Sequence, residues 1–202
     1  MEAQNLDLHG NVPDKSRVAL LLIDVINSFN FPEADQLIKY AEPMAKKIAA
    51  LKERCREERI PTIYVNDNFG IWRSDFKHVL MHCLDEKSKG QKLAQILKPS
   101  DDDYFVLKPK HSGFFSTTLD ILLKYLKTEI VILTGIAGNI CVLFTANDAY
   151  MRDLRLVVPP DCIASNTKEE NEHALELMSK TLKAELIESS KIPLQQLKKH
   201  TP

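Results

Sequence analysis

"EIVILTGIAGNICVLFTANDAY" (129–150) decides how the rest of the chain is read. Its first part, "EIVILTG" (129–135), is a short, nearly continuous apolar run, as expected of a strand covered on both faces. Its last part continues as "NICVLFTANDAYMRD" (139–153) and reads as a helix. Between them stand Gly135 and Gly138, and Cys141 falls in the first turn of the expected helix. A structural turn needs no thiol there. The unpaired amides and the dipole of a helix start favour a thiolate, so the stretch holds either a small core residue or an exposed nucleophile.

The same alternation repeats outward in both directions. Towards the N-terminus, "RVALLLI" (17–23), "IPTIYVN" (60–66) and "DYFVLK" (103–108) read as strands. "AEPMAKKIAALKERCREE", "DFKHVLMHCLDE" and "STTLDILLKYLK" carry apolar residues at helical spacing with charge on the opposite side. Towards the C-terminus come "LRLVVPP" as a fifth strand, stopped by its prolines, and "NTKEENEHALELMSKTLK", with Thr167 and Glu170 at capping-box spacing. "AELIES" (184–189) is a sixth strand, and the tail "KIPLQQLKKHTP" is expected to be polar and loose. Strands alternating with helices predict an α/β fold: one parallel sheet with helices on both faces. Ligands of such folds bind beyond the carboxyl ends of the strands.

Bulk properties narrow the class. The chain has 202 residues, 44% hydrophobic and 27% charged, with a net charge of −1, which suits one globular domain over residues 1–202. That balance gives no reason to expect a nucleic-acid or membrane partner. "MEAQNLDLHGNVPDKS" lacks a basic-then-apolar pattern, so no signal peptide is expected, and no apolar run approaches the ~20 residues of a membrane span. Cys55, Cys83, Cys141 and Cys162 are scattered without a C-x-x-C pair, which points to a reduced, cytoplasmic protein. Cys55 and Cys83 sit on apolar helix stripes and read as core, and Cys162 as packing.

Three strands end in chemistry-bearing residues. "LLLIDVINSF" places Asp24 after the first strand, "FVLKPKHSGF" places Lys108 at the end of the third, and "LTGIAGNIC" places Cys141 after the fourth. Each has an ordinary reading, as a turn residue, a solvated lysine or a core thiol. In a parallel sheet, however, the three gather at one edge, and acyl transfer calls for a nucleophile, a base and a charge partner.

These blocks resemble the isochorismatase-like cysteine hydrolases over roughly residues 17–190, with "LLLIDVINSF", "LKPKHSGFFSTTLD" and "ILTGIAGNICVLFTANDAYMRDLRLVVPPDC" as the matching segments. The resemblance implies a three-layer α/β/α fold with a six-stranded parallel sheet of order 3-2-1-4-5-6, and a triad of Cys141, Asp24 and Lys108. It also implies a cis peptide bond at Ile136–Ala137 and an oxyanion hole formed by the amides of Ala137 and Cys141. Ile26 stands where many relatives carry glutamine, and Gly138 where threonine is frequent. Nicotinamidases of the family bind a divalent ion through Asp-x-His after the second strand; here "VNDNFG" keeps Asp67 but puts Phe69 in the histidine's place. His78 and His82, one helical turn apart, are the remaining metal candidates and read more simply as surface histidines. The expectation is therefore no metal and no cofactor.

On this basis the chain is expected to be a metal-independent cysteine amidohydrolase of a small amide, ureido or carbamoyl compound, working through a thioester. Phe29, Asn68, Trp72 and Phe114 are the candidate substrate-facing residues, and Arg73 reads as a solvated arginine. The alternatives are a vinyl-ether hydrolase of the isochorismate type, which would need an acid and not a thiol, and a thiol-based redox sensor or non-catalytic binding protein. Assembly as a homodimer or homotetramer is a further implication of the resemblance.

Overall fold

In the computed structural model, which describes residues 15–70 and 75–199, β1 (Val18–Ile23) is buried along its whole length. Its side chains alternate between two cores, as strand geometry requires. Val18, Leu20 and Leu22 pack with one cluster, and Ala19, Leu21 and Ile23 with the other. The first cluster takes its helical side from α1 (Ala34–Glu57), α2 (Phe76–Leu84), α3 (Gln91–Ile96) and α7 (Leu194–Lys198). The second takes it from α4 (Leu119–Leu126), α5 (Leu143–Tyr150) and α6 (Lys168–Leu182). The result is the expected three-layer α/β/α arrangement.

β1 lies at the centre of the sheet, paired in parallel with β2 (Thr62–Asp67) on one side and β4 (Ile130–Ile136) on the other. β3 (Tyr104–Lys108) adds outside β2 and β5 (Arg155–Val157) outside β4, giving the order β3-β2-β1-β4-β5. The sixth position has a more detailed form than the sequence suggests. Glu185, in the segment read as a sixth strand, makes one parallel bridge to Val157 beside β5, with Glu185 N donating to Leu156 O and Val158 N to Glu185 O, both at 2.9 Å. Ion pairing of Arg155 with the Glu185 carboxylate holds this contact. Ile187 then turns to pack against the first core, so the pairing does not propagate. The sixth strand proper, β6 (Ile163–Ala164), pairs with the far end of β4, Gly135 opposite Ile163 and Ile136 opposite Ala164.

Three helical segments depart from expectation. α1 begins at Ala34, before the stretch read as helical, and places Pro43 inside the helix. A proline there costs about 3 kcal/mol, and burial of Ala34, Leu37 and Ala41 on the same stripe as Met44 and Ile48 offsets it, since each large apolar side chain contributes ~1.5–3 kcal/mol. α3 was not anticipated; it buries Leu93 and Ala94 from an otherwise polar run. The C-terminal tail is not loose over its described part: α7 buries Leu194 and Leu197, and Arg54 donates to Ser189 O at 2.5 Å and Ile192 O at 2.8 Å. Among the described residues no helix is long and apolar enough to cross a membrane.

Strand order reverses at β1, whose neighbours β2 and β4 lead the chain away in opposite directions, and the crevice at such a switch point is the natural ligand site. Asp24 follows β1, Lys108 closes β3 and Cys141 follows β4, so all three stand at the carboxyl edge.

Candidate active site

Lys108 is the hub of the edge. Its register partner on β2 is Asp67, and its side chain runs across the end of β2 towards β1. Nζ lies 2.8 Å from Asp24 Oδ2, 3.4 Å from Asp67 Oδ2, 3.1 Å from Lys110 O and 3.5 Å from Cys141 Sγ. With 0% of the Lys108 residue exposed and 5% of Asp24, this ion pair is interior. Asp24 is held from a second side, where its Oδ1 accepts the Asp67 amide at 2.6 Å. Asp24 sits in the left-handed backbone region, φ 51°, which turns its side chain back over the strand ends.

The chain delivers Cys141 by a different local structure from the expected α-helical first turn. Residues Gly138–Val142 form a π-helical turn that leads into α5, and the Ile136–Ala137 peptide bond before it is cis. Gly135 shows why β4 can end so close to β1. Its φ is 117°, and a Cβ there would fall 2.1 Å from Ile23 O. Only glycine tolerates both.

Electrostatics overturn the expectation of a low-pKa thiol. Burial raises the Cys141 pKa, the Asp24 charge raises it further, and Lys108 opposes them incompletely, leaving the thiol pushed up to about 12. Burial also lifts the Asp24 carboxyl above its ordinary 3.8, against the pull of Lys108. For Lys108, burial works against the ammonium, but the charges of Asp24, Cys141 and Asp67 prevail and hold its pKa above 10.5. Asp24 and Cys141 thus compete for one cation, and Asp67 already takes part of it. At rest the thiol, pushed up to about 12, keeps its proton.

The other anticipated residues are less exposed to the crevice. Phe29 is 1% exposed, has φ 54° and packs in the first core against Phe31. Phe114 is 5% exposed in the second core, beneath the Arg152 guanidinium at 4.6 Å. Asn68 is a buried turn residue whose Oδ1 accepts the Gly70 amide at 2.9 Å. Trp72 and Arg73 lie outside the described residues. Two groups were missed. His111 is exposed, with Nδ1 4.0 Å from Cys141 Sγ and its ring against Phe144. Asn66, fully buried, donates to Ile26 O at 2.5 Å and ties β2 to the loop after β1. His111 lies only three residues past Lys108, a proximity that could have drawn attention to it.

The divalent-ion arrangement of nicotinamidases does not fit these residues. Asp67 spends Oδ1 on the Phe69 amide at 2.6 Å and turns Oδ2 to Lys108, whose ammonium would repel a metal. Phe69, in the histidine's place, offers no donor. His78 on α2 is engaged with Asp75 through its Nδ1 at 2.9 Å.

Residues 18–190 match the family described as the isochorismatase domain. The chain is 47% identical over 178 residues to the uncharacterized isochorismatase family protein YaaI of Bacillus subtilis (strain 168), covering 88% of this chain and 97% of that one. It is 30% identical over 172 residues to the isochorismatase of the same organism, covering 82% of this chain but only 54% of the relative. Among solved structures, N-carbamoylsarcosine amidase from Thermoplasma acidophilum superimposes with a TM-score of 0.66 at 26% identity, covering 88% of this chain and 99% of the amidase.

Proposed function

We propose, from the premise that the chain belongs to the isochorismatase family, that it is a metal-independent cysteine hydrolase of a small amide, ureido or carbamoyl compound. The observation that carries this reading is the contact of one interior ammonium with both a thiol and an interior carboxylate, Lys108 Nζ lying 3.5 Å from Cys141 Sγ and 2.8 Å from Asp24 Oδ2. The likeness to an amidase that covers nearly all of both chains supports it.

The electrostatics dictate the order of proton movements. A thiol with a pKa near 12 supplies almost no free thiolate at neutral pH, so Asp24 removes its proton as the sulfur attacks the carbonyl carbon. Lys108 stays charged and stabilises whichever partner is anionic. The Ala137 and Cys141 amides receive the developing oxyanion, and such a donor is typically worth ~3–4 kcal/mol. Asp24 then returns its proton to the leaving nitrogen, the C–N bond breaks, and an acyl thioester remains on Cys141. Water, deprotonated by Asp24, attacks the thioester and releases the acid and the thiol. The reading extends to a small molecule as substrate and to a homodimer or homotetramer as the working assembly.

A second reading is vinyl-ether hydrolysis, favoured by the 30% identity to a protein named isochorismatase. That chemistry needs an acid and leaves the thiol idle. Cys141→Ala separates the two. Turnover of an amide and carbamoyl panel, followed by mass spectrometry, is expected to fall at least ~10³-fold, in line with removal of a catalytic nucleophile. Full activity of the variant on isochorismate would overturn the amidase reading.

A further inference from the structure

Gly138 marks where the turn bearing Ala137 and Cys141 meets β6 and α6. A Cβ at this position would lie 2.6 Å from Asn171 Oδ1, 2.6 Å from Ile163 Cγ2 and 2.9 Å from Ser165 Oγ. Each is closer than packing allows. The volume that a side chain would fill is occupied instead by a hydrogen-bonded pair entering from two other segments. Asn171, in the first turns of α6, donates Nδ2 to Ile163 O at 3.4 Å. Ser165, just past β6, donates its hydroxyl to Asn171 Oδ1 at 3.0 Å. The backbone N–H of Asn139 donates to Ser165 Oγ at 3.2 Å.

Each link sets the direction of the next. Commitment of the Asn171 nitrogen to a carbonyl leaves its oxygen for Ser165. Ser165 has one proton, and once it goes to Asn171 the lone pairs face Asn139. At 1% exposure Ser165 meets almost no water that could compete. The relay ends on the amide midway between Ala137 and Cys141. The adjoining amides of Ile140 and Val142 both turn to Ala137 O, at 3.0 and 3.1 Å, so the segment moves as a unit with its anchor.

We propose that Ser165 and Asn171 are positioning residues for acyl transfer: together they replace from outside the support that a side chain at position 138 would give from within, and hold the Ala137 and Cys141 amides where the oxyanion forms. The inference rests on the reading of Cys141 as an acylated nucleophile and extends it to the residues that fix the hole. Oxyanion donors are effective only when their geometry is set before the reaction, and a displacement of 1 Å is enough to cost ~10²-fold.

Two probes on the full chain separate positioning of the hole from preservation of the thiol. p-Nitrophenyl acetate acetylates Cys141 through an oxyanion: the S–C bond forms, the C–O bond to p-nitrophenolate breaks, and the thiol proton passes to Asp24. Iodoacetamide alkylates the same sulfur by displacing iodide, with no oxyanion. In Ser165→Ala and in Asn171→Ala the acetylation rate, read as mass added to Cys141, is expected to fall about 10-fold or more while alkylation changes less than about 2-fold. Either variant that keeps the melting temperature of the unsubstituted protein suffices. Unchanged acetylation overturns the inference, as does an equal fall in both rates or the failure of both variants to fold, because the pair then serves the fold or the thiol and not the hole. If the unsubstituted protein is alkylated at Cys141 but never acetylated there, the nucleophile reading itself fails.

Discussion

In the proposed mechanism Asp24 carries two burdens at once, accepting the thiol proton and balancing an interior ammonium. Its carboxyl is lifted by burial, and it must be ionised to act as base. Activity on any substrate should therefore fall as pH drops through a value above the ordinary 3.8, and this acid limb of kcat/KM is the measurable signature. Asp24→Asn should abolish the limb together with most of the turnover. A limb at or below the ordinary carboxylate value would show that burial does not govern Asp24. The identities of Asp24, Lys108 and Cys141 were legible in the sequence because each closes a strand or begins the turn after it. The state of the thiol was not. The dipole of a helix start argues for thiolate, whereas burial and the facing Asp24 charge prevail over it. Neither burial nor the facing charge can be read from the residues around Cys141 alone.

At the scale of elements, two segments are held by contacts that the sequence only partly declares. Gly135→Ala would force a Cβ to 2.1 Å from Ile23 O at a φ of 117°, so β4 must withdraw from β1 or the substitution must unfold the edge. A loss of several kcal/mol, at least ~2, is expected in urea unfolding, well above the ordinary cost of an exposed glycine replacement. α7 gives a second case. Leu197→Ala should cost ~2–3 kcal/mol by cavity formation, and a loss below ~0.5 kcal/mol would show the tail to be undocked. The stretch looked loose because lysines and glutamines dominate it. Ile192, Leu194 and Leu197 nevertheless find a buried site against the first core, and Arg54 satisfies carbonyls of the connecting turn. Conversely, the capping box at Thr167 and Glu170 is present as read, since both of its bonds lie within four residues.

For the whole molecule, the cysteines couple the interior to alkaline pH. Burial pushes the thiols of Cys55, Cys83 and Cys162 up to about 12 from an ordinary 9.0. A group whose pKa is raised by folding contributes its full stability below the unfolded value and loses it as pH rises towards the folded one. The window here runs from about pH 9 to about pH 12, and stability falls across it as the unfolded chain releases protons first. At pH 10 each thiol should favour unfolding by ~1.4 kcal/mol relative to neutral pH. The melting temperature should decline from about pH 9 upward, and Cys83→Ala should decline less steeply; a flat profile to pH 11 would contradict the interior placement of these thiols.

The sequence alone determined the alternation of strands and helices and the gathering of Asp24, Lys108 and Cys141 at one edge of a parallel sheet, because apolar periodicity and strand-end residues are local properties of the chain. Tertiary structure alone decided the protonation of Cys141, the engagement of Asp67 by Lys108, the docking of α7 and the hydrogen bond of Ser165 to Asn171 beside Gly138. Each of these depends on distances between segments far apart in the chain, and on how much water those segments exclude, which no local pattern encodes.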